Sequence, residues 1–124
     1  MFPQQFSFSF LGCERGVDLS LELIIKALVG LGLSRSDAEL YVYLAKKGPT
    51  KILGLTKALT YDKPKIYSSL RNLQTKRLVI KDPPMFSALP FEEALELLIK
   101  SKKEQAEAMI EYKKEFLVKW KNEE

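Results

Sequence analysis

The sequence predicts a mainly α-helical protein that contains one small β-hairpin and ends in a long helix. Apolar residues recur at helical spacing in four segments of the first part of the chain. A short β-branched run follows them, is broken by Pro83 and Pro84, and then resumes, as in a hairpin. After Pro90 the chain contains neither Gly nor Pro, so the remainder can form one helix of about 30 residues.

The first two helices are bounded by glycines and by a capping serine. Apolar positions over 19–31 recur every three or four residues and predict an amphipathic helix that ends near Gly32. Ser34 is placed to cap a second helix, which the apolar pattern extends over about 35–47. Gly48 and the proline after it end that helix.

Two further helices are predicted on either side of a tight turn. Thr50 is a suitable N-cap for a third helix over 51–59. Asp62 is the expected N-cap of a fourth helix over about 63–76, and Pro64 falls in its first turn, where the missing N–H does no harm. Together with the hairpin, this order of elements is that of a winged helix-turn-helix, in which the fourth helix is the recognition helix.

Positive charge is concentrated in one stretch of the chain. Between Lys46 and Lys81 there are ten Lys or Arg residues and one acid, Asp62, which gives a net charge of +9. Residues 1–45 carry −2 and residues 82–124 carry −3, so the whole chain is only +4. A cationic patch confined to a folded, helical stretch is typical of a surface that binds phosphates.

The predicted recognition helix has one polar, partly cationic face. Its apolar residues share one side, and a rotation of about 100° per residue turns the polar residues to the other. Lys and Arg bind phosphates or guanine, Asn binds adenine, and small hydroxyls permit close approach to a base pair. Lys51, at the start of the third helix, can also bind a phosphate. The predicted contacts to double-stranded DNA are Lys51, Lys63, Lys65, Ser68, Ser69, Arg71, Asn72 and Lys76.

Composition excludes several other classes of function. Histidine is absent and Cys13 is the single cysteine, so zinc-finger spacing, His-based triads and the usual acid–base catalyst near neutral pH are excluded. No acidic pair stands out from a solvated helix face, and we therefore expect no enzyme activity, cofactor or metal. A single cysteine is consistent with a reducing cytoplasm. No apolar run is long enough to span a membrane.

The last predicted helix carries the seam of a coiled coil. Apolar residues follow alternating spacings of four and three, with a polar interruption at Lys102 and Gln105. A second apolar stripe makes this surface wider than one helix of a small domain would bury alone. The sequence thus predicts a homodimer, and the alternative is that the helix folds back on its own domain. The predicted dimerisation residues are Leu95, Leu98, Met109, Tyr112 and Phe116.

These observations divide the chain into three parts. Residues 1–17 are predicted to be a loose N-terminal arm, residues 18–90 a winged helix-turn-helix DNA-binding domain, and residues 91–124 a long dimerisation helix. A two-fold dimer would present two recognition helices to successive major grooves. It would therefore recognise a roughly palindromic site with half-sites about 10 bp apart.

Short motifs occur in a fixed order between Leu31 and Leu89, namely LGLS, AELY, GP, KIY, LRNL and KRLV. In this order and spacing they resemble the TrmB-like winged helix-turn-helix transcriptional regulators of archaea and some bacteria. The resemblance implies binding of double-stranded DNA through the recognition helix. Many members continue into a sugar-binding effector domain, whereas this sequence ends at Glu124 without one, so we do not expect sugar-responsive regulation.

Two positions depart from the family's pattern. Thr60 stands where these proteins usually have Gly in the helix-turn-helix turn, so a left-handed backbone there would be strained. Arg77 likewise replaces the common Gly before the first strand of the hairpin.

The leading functional prediction is a sequence-specific, dimeric transcriptional regulator. One alternative is an abundant chromatin-type protein that binds DNA with little sequence preference. The other is a winged-helix adaptor of the transcription machinery that contacts protein instead of DNA.

Overall fold

The computed structural model describes residues 17–122, which form six helices and one three-stranded sheet. The helices are α1 (Val17–Gly30), α2 (Arg35–Lys47), α3 (Ile52–Ala58), α4 (Lys63–Thr75), α5 (Phe91–Glu111) and α6 (Lys113–Asn122). The strands are β1 (Thr50–Lys51), β2 (Val79–Asp82) and β3 (Met85–Ala88). The predicted fold class is therefore confirmed. Of the predicted arm, residues 1–16 lie outside the described residues and residue 17 begins α1.

The sheet is antiparallel, with the strand order β1-β3-β2. β2 and β3 form the predicted hairpin, in which Val79 pairs with Ala88. β1 adds a third strand by pairing Thr50 with Phe86. The sequence did not predict β1 because two residues are too few to show the period-two alternation of a strand. Phe86 is buried and attaches the hairpin to the core.

The predicted cap of α3 is wrong. The helix begins at Ile52, with Lys51 at the N-cap and no side-chain hydrogen bond to the cap. Thr50 lies in β1, where its hydroxyl donates to the carbonyl of Gly48 at 2.8 Å. Its methyl group packs so closely on α3 that a Cβ at Gly54 would lie 2.7 Å from it. The contact with β1 therefore explains a glycine in the middle of this helix.

The predicted caps of α2 and α4 are confirmed. The hydroxyl of Ser34 accepts from the backbone N–H of Asp37 at 3.1 Å. The carboxylate of Asp62 accepts from the N–H of Lys65 at 3.2 Å, with Pro64 in the first turn. Each cap satisfies an N–H that has no partner within its helix, so both helices begin where the local sequence dictates.

α4 ends in a Schellman motif at the position where the sequence departs from the family. The N–H of Leu78 donates to the carbonyl of Leu73 at 2.9 Å, and the N–H of Arg77 donates to that of Gln74 at 3.0 Å. Arg77 has a φ of 67° and is the one non-glycine residue with positive φ among residues 17–122. Thr60 consequently stays outside the left-handed region, and the turn before α4 does not need a glycine.

Arg77→Gly should stabilise the fold by about 0.5–1 kcal/mol. A left-handed backbone costs a non-glycine residue roughly 1–2 kcal/mol, and glycine removes this cost. The greater conformational freedom of glycine in the unfolded chain offsets part of the gain. Urea denaturation measures the change in the free energy of unfolding. Arg77→Ala is the matched control, since it removes the same charge but keeps the strained backbone. Equal stabilisation by both variants would mean that the charge, and not the backbone, is the cause.

The core lies between α1, α2 and α4 and is completed by the first turns of α5. Its fully buried side chains include Ile25, Leu28, Leu40, Leu44, Leu55, Ile66, Leu70, Leu73 and Leu78. From α5, Ala94 and Leu98 are 0% and 5% exposed and belong to the same apolar cluster. Leu98 is thus not available for the predicted contact with a second copy, because its own domain buries it.

The C-terminal segment consists of two helices and not of the predicted single helix. The break is at Tyr112, which has a φ of −94° and a ψ of 6°. Helical hydrogen bonds continue on both sides, because the N–H of Tyr112 donates to Ala108 and the N–H of Phe116 donates to Tyr112. From Ile99 onward every described side chain is exposed except that of Ala108, which is half-buried. None of the other described elements packs here to hold the helix regular. None of the helices in residues 17–122 is long and apolar enough to cross a membrane.

Candidate nucleic-acid interface

All ten basic residues between Lys46 and Lys81 are exposed. The two ion pairs described among residues 17–122 are made by Arg35, and none of the ten cations takes part in them. The single acid of this stretch, Asp62, caps α4. The helix-turn-helix and the first strand of the hairpin therefore present an uncompensated positive charge to solvent, which is the condition for attracting a polyanion.

α4 separates its residues into a buried and an exposed side as the sequence predicts. Lys65, Ser68, Arg71 and Asn72 are exposed. The hydroxyl of Thr75 donates to the carbonyl of Arg71 at 3.0 Å and is therefore bound to the backbone of its own helix. The outer face thus offers a guanidinium, an ammonium, an amide and a hydroxyl, the groups that read base edges and bind phosphates.

Ser69 does not belong to this face, and its predicted DNA contact is wrong. The side chain is 2% exposed, and its hydroxyl donates to the hydroxyl of Ser36 at 3.1 Å. Ser36 in turn lies 3.2 Å from the hydroxyl of Ser34, the cap of α2. Ser69 therefore attaches α4 to the start of α2 and has no access to a ligand.

The remaining predicted contacts lie at the ends of the two helices. Lys51 is the exposed N-cap of α3, Lys63 is the first residue of α4, and Lys76 is its C-cap. On β2, the ammonium of Lys81 lies 5.9 Å from the centre of the Phe86 ring, a cation–π distance that holds it on the hairpin.

The sequence missed a partly buried polar network that fixes the start of α4. The hydroxyl of Tyr61 donates to Glu39 at 2.6 Å, and the Nε of Arg35 donates to the same carboxylate at 2.9 Å. The guanidinium of Arg35 also donates twice to Glu22, at 2.8 and 2.9 Å. Burial raises the pKa of Tyr61 above the usual range for tyrosine, and Glu39 raises it further. The network joins α1 and α2 to the residue that precedes the cap of α4.

The helical periodicity that predicts the outer face of α4 also places Tyr61 on that face, and the network corrects this assignment. The spacing of four between Arg35 and Glu39 is a sequence signal for a helical ion pair. Glu22 is 13 positions from its partner Arg35, and Tyr61 is 22 positions from its partner Glu39. Contacts over such separations cannot be predicted from a local sequence pattern.

The structure explains the sequence AELY in α2. Glu39 holds Tyr61, as described above, and the hydroxyl of Tyr41 donates to the carbonyl of Leu89, where β3 leads into α5. Burial raises the pKa of Tyr41 to about 12. The two polar residues of the motif thus attach α2 to the start of α4 and to the exit of the hairpin.

Comparison with known proteins identifies the family of this arrangement. A family model described as "Sugar-specific transcriptional regulator TrmB" matches residues 28–92, which is just over half of the chain. The chain belongs to the TrmB family. The matched range contains the whole cationic stretch, α2 to α4 and the hairpin, and it leaves most of α5 and all of α6 outside. Comparison with curated protein sequences gives no match.

A solved structure has the same fold as this TrmB-family protein. It is that of TrmBL2, an archaeal chromatin protein described as showing a novel mode of DNA binding, and it superposes with a TM-score of 0.70 at 22% sequence identity. The similarity covers 82% of this chain and 40% of the TrmBL2 chain, so this protein spans less than half the length of TrmBL2.

Proposed function

We propose that this TrmB-family protein is a cytoplasmic transcriptional regulator that binds double-stranded DNA as a homodimer and inserts α4 into the major groove. The observation that carries the proposal is the outer face of α4, which is exposed and polar and belongs to a stretch of ten exposed cations with no described ion pair. A major groove is wide enough for one helix and lined by phosphates on both sides, and this surface matches both properties.

The residues of the interface divide into two groups by position. Lys65, Ser68, Arg71 and Asn72 lie on the outer face of α4, where a helix in the groove meets base edges. The second group lies at helix ends, where side chains meet the sugar–phosphate backbone, and it comprises Lys51, Lys63 and Lys76. The first group would give sequence preference and the second would give affinity.

The two groups predict different effects of single substitutions. Lys51→Ala should weaken binding to all sequences alike and lower the slope of log affinity against log salt by about 1, because one phosphate contact is lost. Asn72→Ala should cost about 1–3 kcal/mol on the preferred site only and leave the salt slope unchanged. Fluorescence anisotropy with labelled duplexes at several salt concentrations measures both quantities. Two identical losses would contradict the division into base and backbone contacts.

Homodimerisation is supported by the C-terminal helices. A solvated helix of this length has no tertiary packing to stabilise it, and helices in proteins depend chiefly on such packing. Yet exposed apolar side chains continue along it, among them Met109, Ile110, Phe116, Leu117 and Trp120. A second copy of the chain would cover them and would present two recognition helices with two-fold symmetry.

A second candidate function is DNA binding without sequence preference, and the fold shared with the chromatin protein TrmBL2 supports it. Selection of bound fragments from genomic DNA separates the two candidates. A regulator enriches a common site that binds several kcal/mol more tightly than random DNA, about 4–10 kcal/mol in typical cases. A chromatin-type protein enriches none, and its affinity depends steeply on salt and not on sequence.

A further inference from the structure

Four of the apolar residues left exposed on the C-terminal helices share one stripe, which two lysines interrupt. Ile99, Met109, Phe116 and Trp120 are 51%, 59%, 49% and 77% exposed, respectively. They follow the alternating spacing of three and four that keeps side chains on one face, together with Ala106 and two lysines. A stripe of this kind is a surface for another helix.

Charge changes sign along the same helices. The first two turns of α5, Phe91–Leu98, contain three glutamates and no base, which gives −3. The middle, residues 99–112, contains three lysines and three glutamates and is neutral. α6 contains four lysines and one glutamate, which gives +3, and with the two glutamates that follow it in the sequence residues 113–124 carry +1. Parallel pairing of two copies would bring like charges together at both ends, whereas antiparallel pairing directs each cationic α6 towards the acidic start of the partner's α5.

An apolar groove lies beside the start of α5. It has a volume of about 310 Å³ and is bordered by α1, the end of α2 and the segment that leads from β3 into α5. Its lining includes Leu21, Ile24, Val42, Ala88 and Phe91. The acidic turn that would attract α6 of a second copy follows directly after Phe91, so the groove lies where that helix would end.

We propose that two copies pair antiparallel through α5 and α6 and that Trp120 of the partner subunit occupies this groove. The proposal rests on the homodimer of the proposed function and assigns its orientation and register. In the register that places Leu117 of the partner subunit level with Phe91, the first residue of α5, the partner's Met109 lies level with Ile99 and the partner's Trp120 lies three residues beyond the start of α5, beside the groove. The side chains of Ile99 and Met109 are both exposed and apolar in a single copy.

This register also fits the spacing of DNA half-sites. It places Phe91 level with the partner's Leu117, so the two Phe91 residues lie 26 positions apart along the helix pair. At 1.5 Å per residue this separation is about 39 Å, close to the 34–36 Å of one turn of DNA. Parallel pairing would place the two domains side by side at the helix-to-helix distance of about 10 Å.

Tryptophan fluorescence tests the seating of Trp120, because it is the only tryptophan of the chain. In the dimer we expect blue-shifted emission that iodide quenches poorly, although Trp120 is 77% exposed in a single copy, more than any other large apolar side chain among the described residues. Ala88→Glu, which places a carboxylate in the groove, should shift the emission to the red while light scattering still gives the mass of a dimer. Val118→Glu, on the opposite face of α6, is the control and should leave the emission unchanged. Solvent-exposed emission in a dimer of the unchanged protein would overturn the assignment of the groove.

Cysteine cross-linking tests the orientation in a Cys13→Ser background. In an antiparallel dimer neither Ile99→Cys nor Met109→Cys reacts with itself, but a mixture of the two is joined by a short bismaleimide. Self-linking of Ile99→Cys alone would mean parallel pairing and would overturn this proposal while leaving the homodimer intact. A monomeric mass for the unchanged protein at every concentration would overturn the homodimer itself, and the orientation with it.

Discussion

Lys65→Glu combined with Arg71→Glu should abolish binding to duplex DNA, with a loss of affinity of at least about 100-fold. Both side chains are exposed on the outer face of α4. Each reversal removes one contact to a phosphate or base, worth about 1–3 kcal/mol, and places a carboxylate against the phosphates. The free energy of unfolding should change by less than about 0.5 kcal/mol per substitution, because neither residue packs in the core or makes an ion pair.

The matched control is Lys46→Glu combined with Lys47→Glu. These two lysines lie in the last turn of α2, within the same cationic stretch, and their reversal changes the net charge by the same amount. They raise the local potential but do not lie on α4, so the control should weaken binding only a few-fold. A gel shift at fixed salt compares the two variants. If both bind equally well, α4 is not the recognition helix, and if the α4 variant binds like the unchanged protein, DNA is not the ligand of this surface.

Short-range signals account for the part of the fold that the sequence predicts. The caps at Ser34 and Asp62, the glycine stop after α2 and the apolar periodicity of α1, α2 and α4 all depend on residues within one or two turns of each other. Long-range contacts explain the errors. β1 exists because Thr50 meets Phe86, which is 36 positions away, and Tyr61 turns inward because it meets Glu39, 22 positions away.

The same limit of short-range signals applies to the single residues of the candidate site. The concentration of charge between Lys46 and Lys81 is a property of composition, and it identifies the surface without knowledge of the fold. Deciding which single residues can contact a ligand requires knowledge of the elements that pack against each helix. Ser69 lies at the border between the two sides of α4, and its position against α2 decides that it is buried. Leu98 follows the coiled-coil spacing, but its own domain covers it.

Met109→Glu combined with Phe116→Glu should convert the protein into a monomer and lower its affinity for a two-half-site duplex by at least about 100-fold, because a linked second domain binds at a high effective concentration. Both side chains are about half exposed in a single copy, so glutamates there should not disturb the protomer. These substitutions are preferable to a truncation after Pro90, which would remove Ala94 and Leu98 from the core.

Light scattering and anisotropy with one-half-site and two-half-site duplexes separate the two effects of this variant. The loss of affinity should be large on the two-half-site duplex and small on the single half-site, because the cationic face of α4 is intact. Val118→Glu, on the opposite face of α6, should remain a dimer and bind as the unchanged protein does. A monomeric variant that keeps full affinity for the two-half-site duplex would mean that each winged helix binds DNA independently. In that case the exposed stripe of α5 and α6 would make no contribution to DNA recognition.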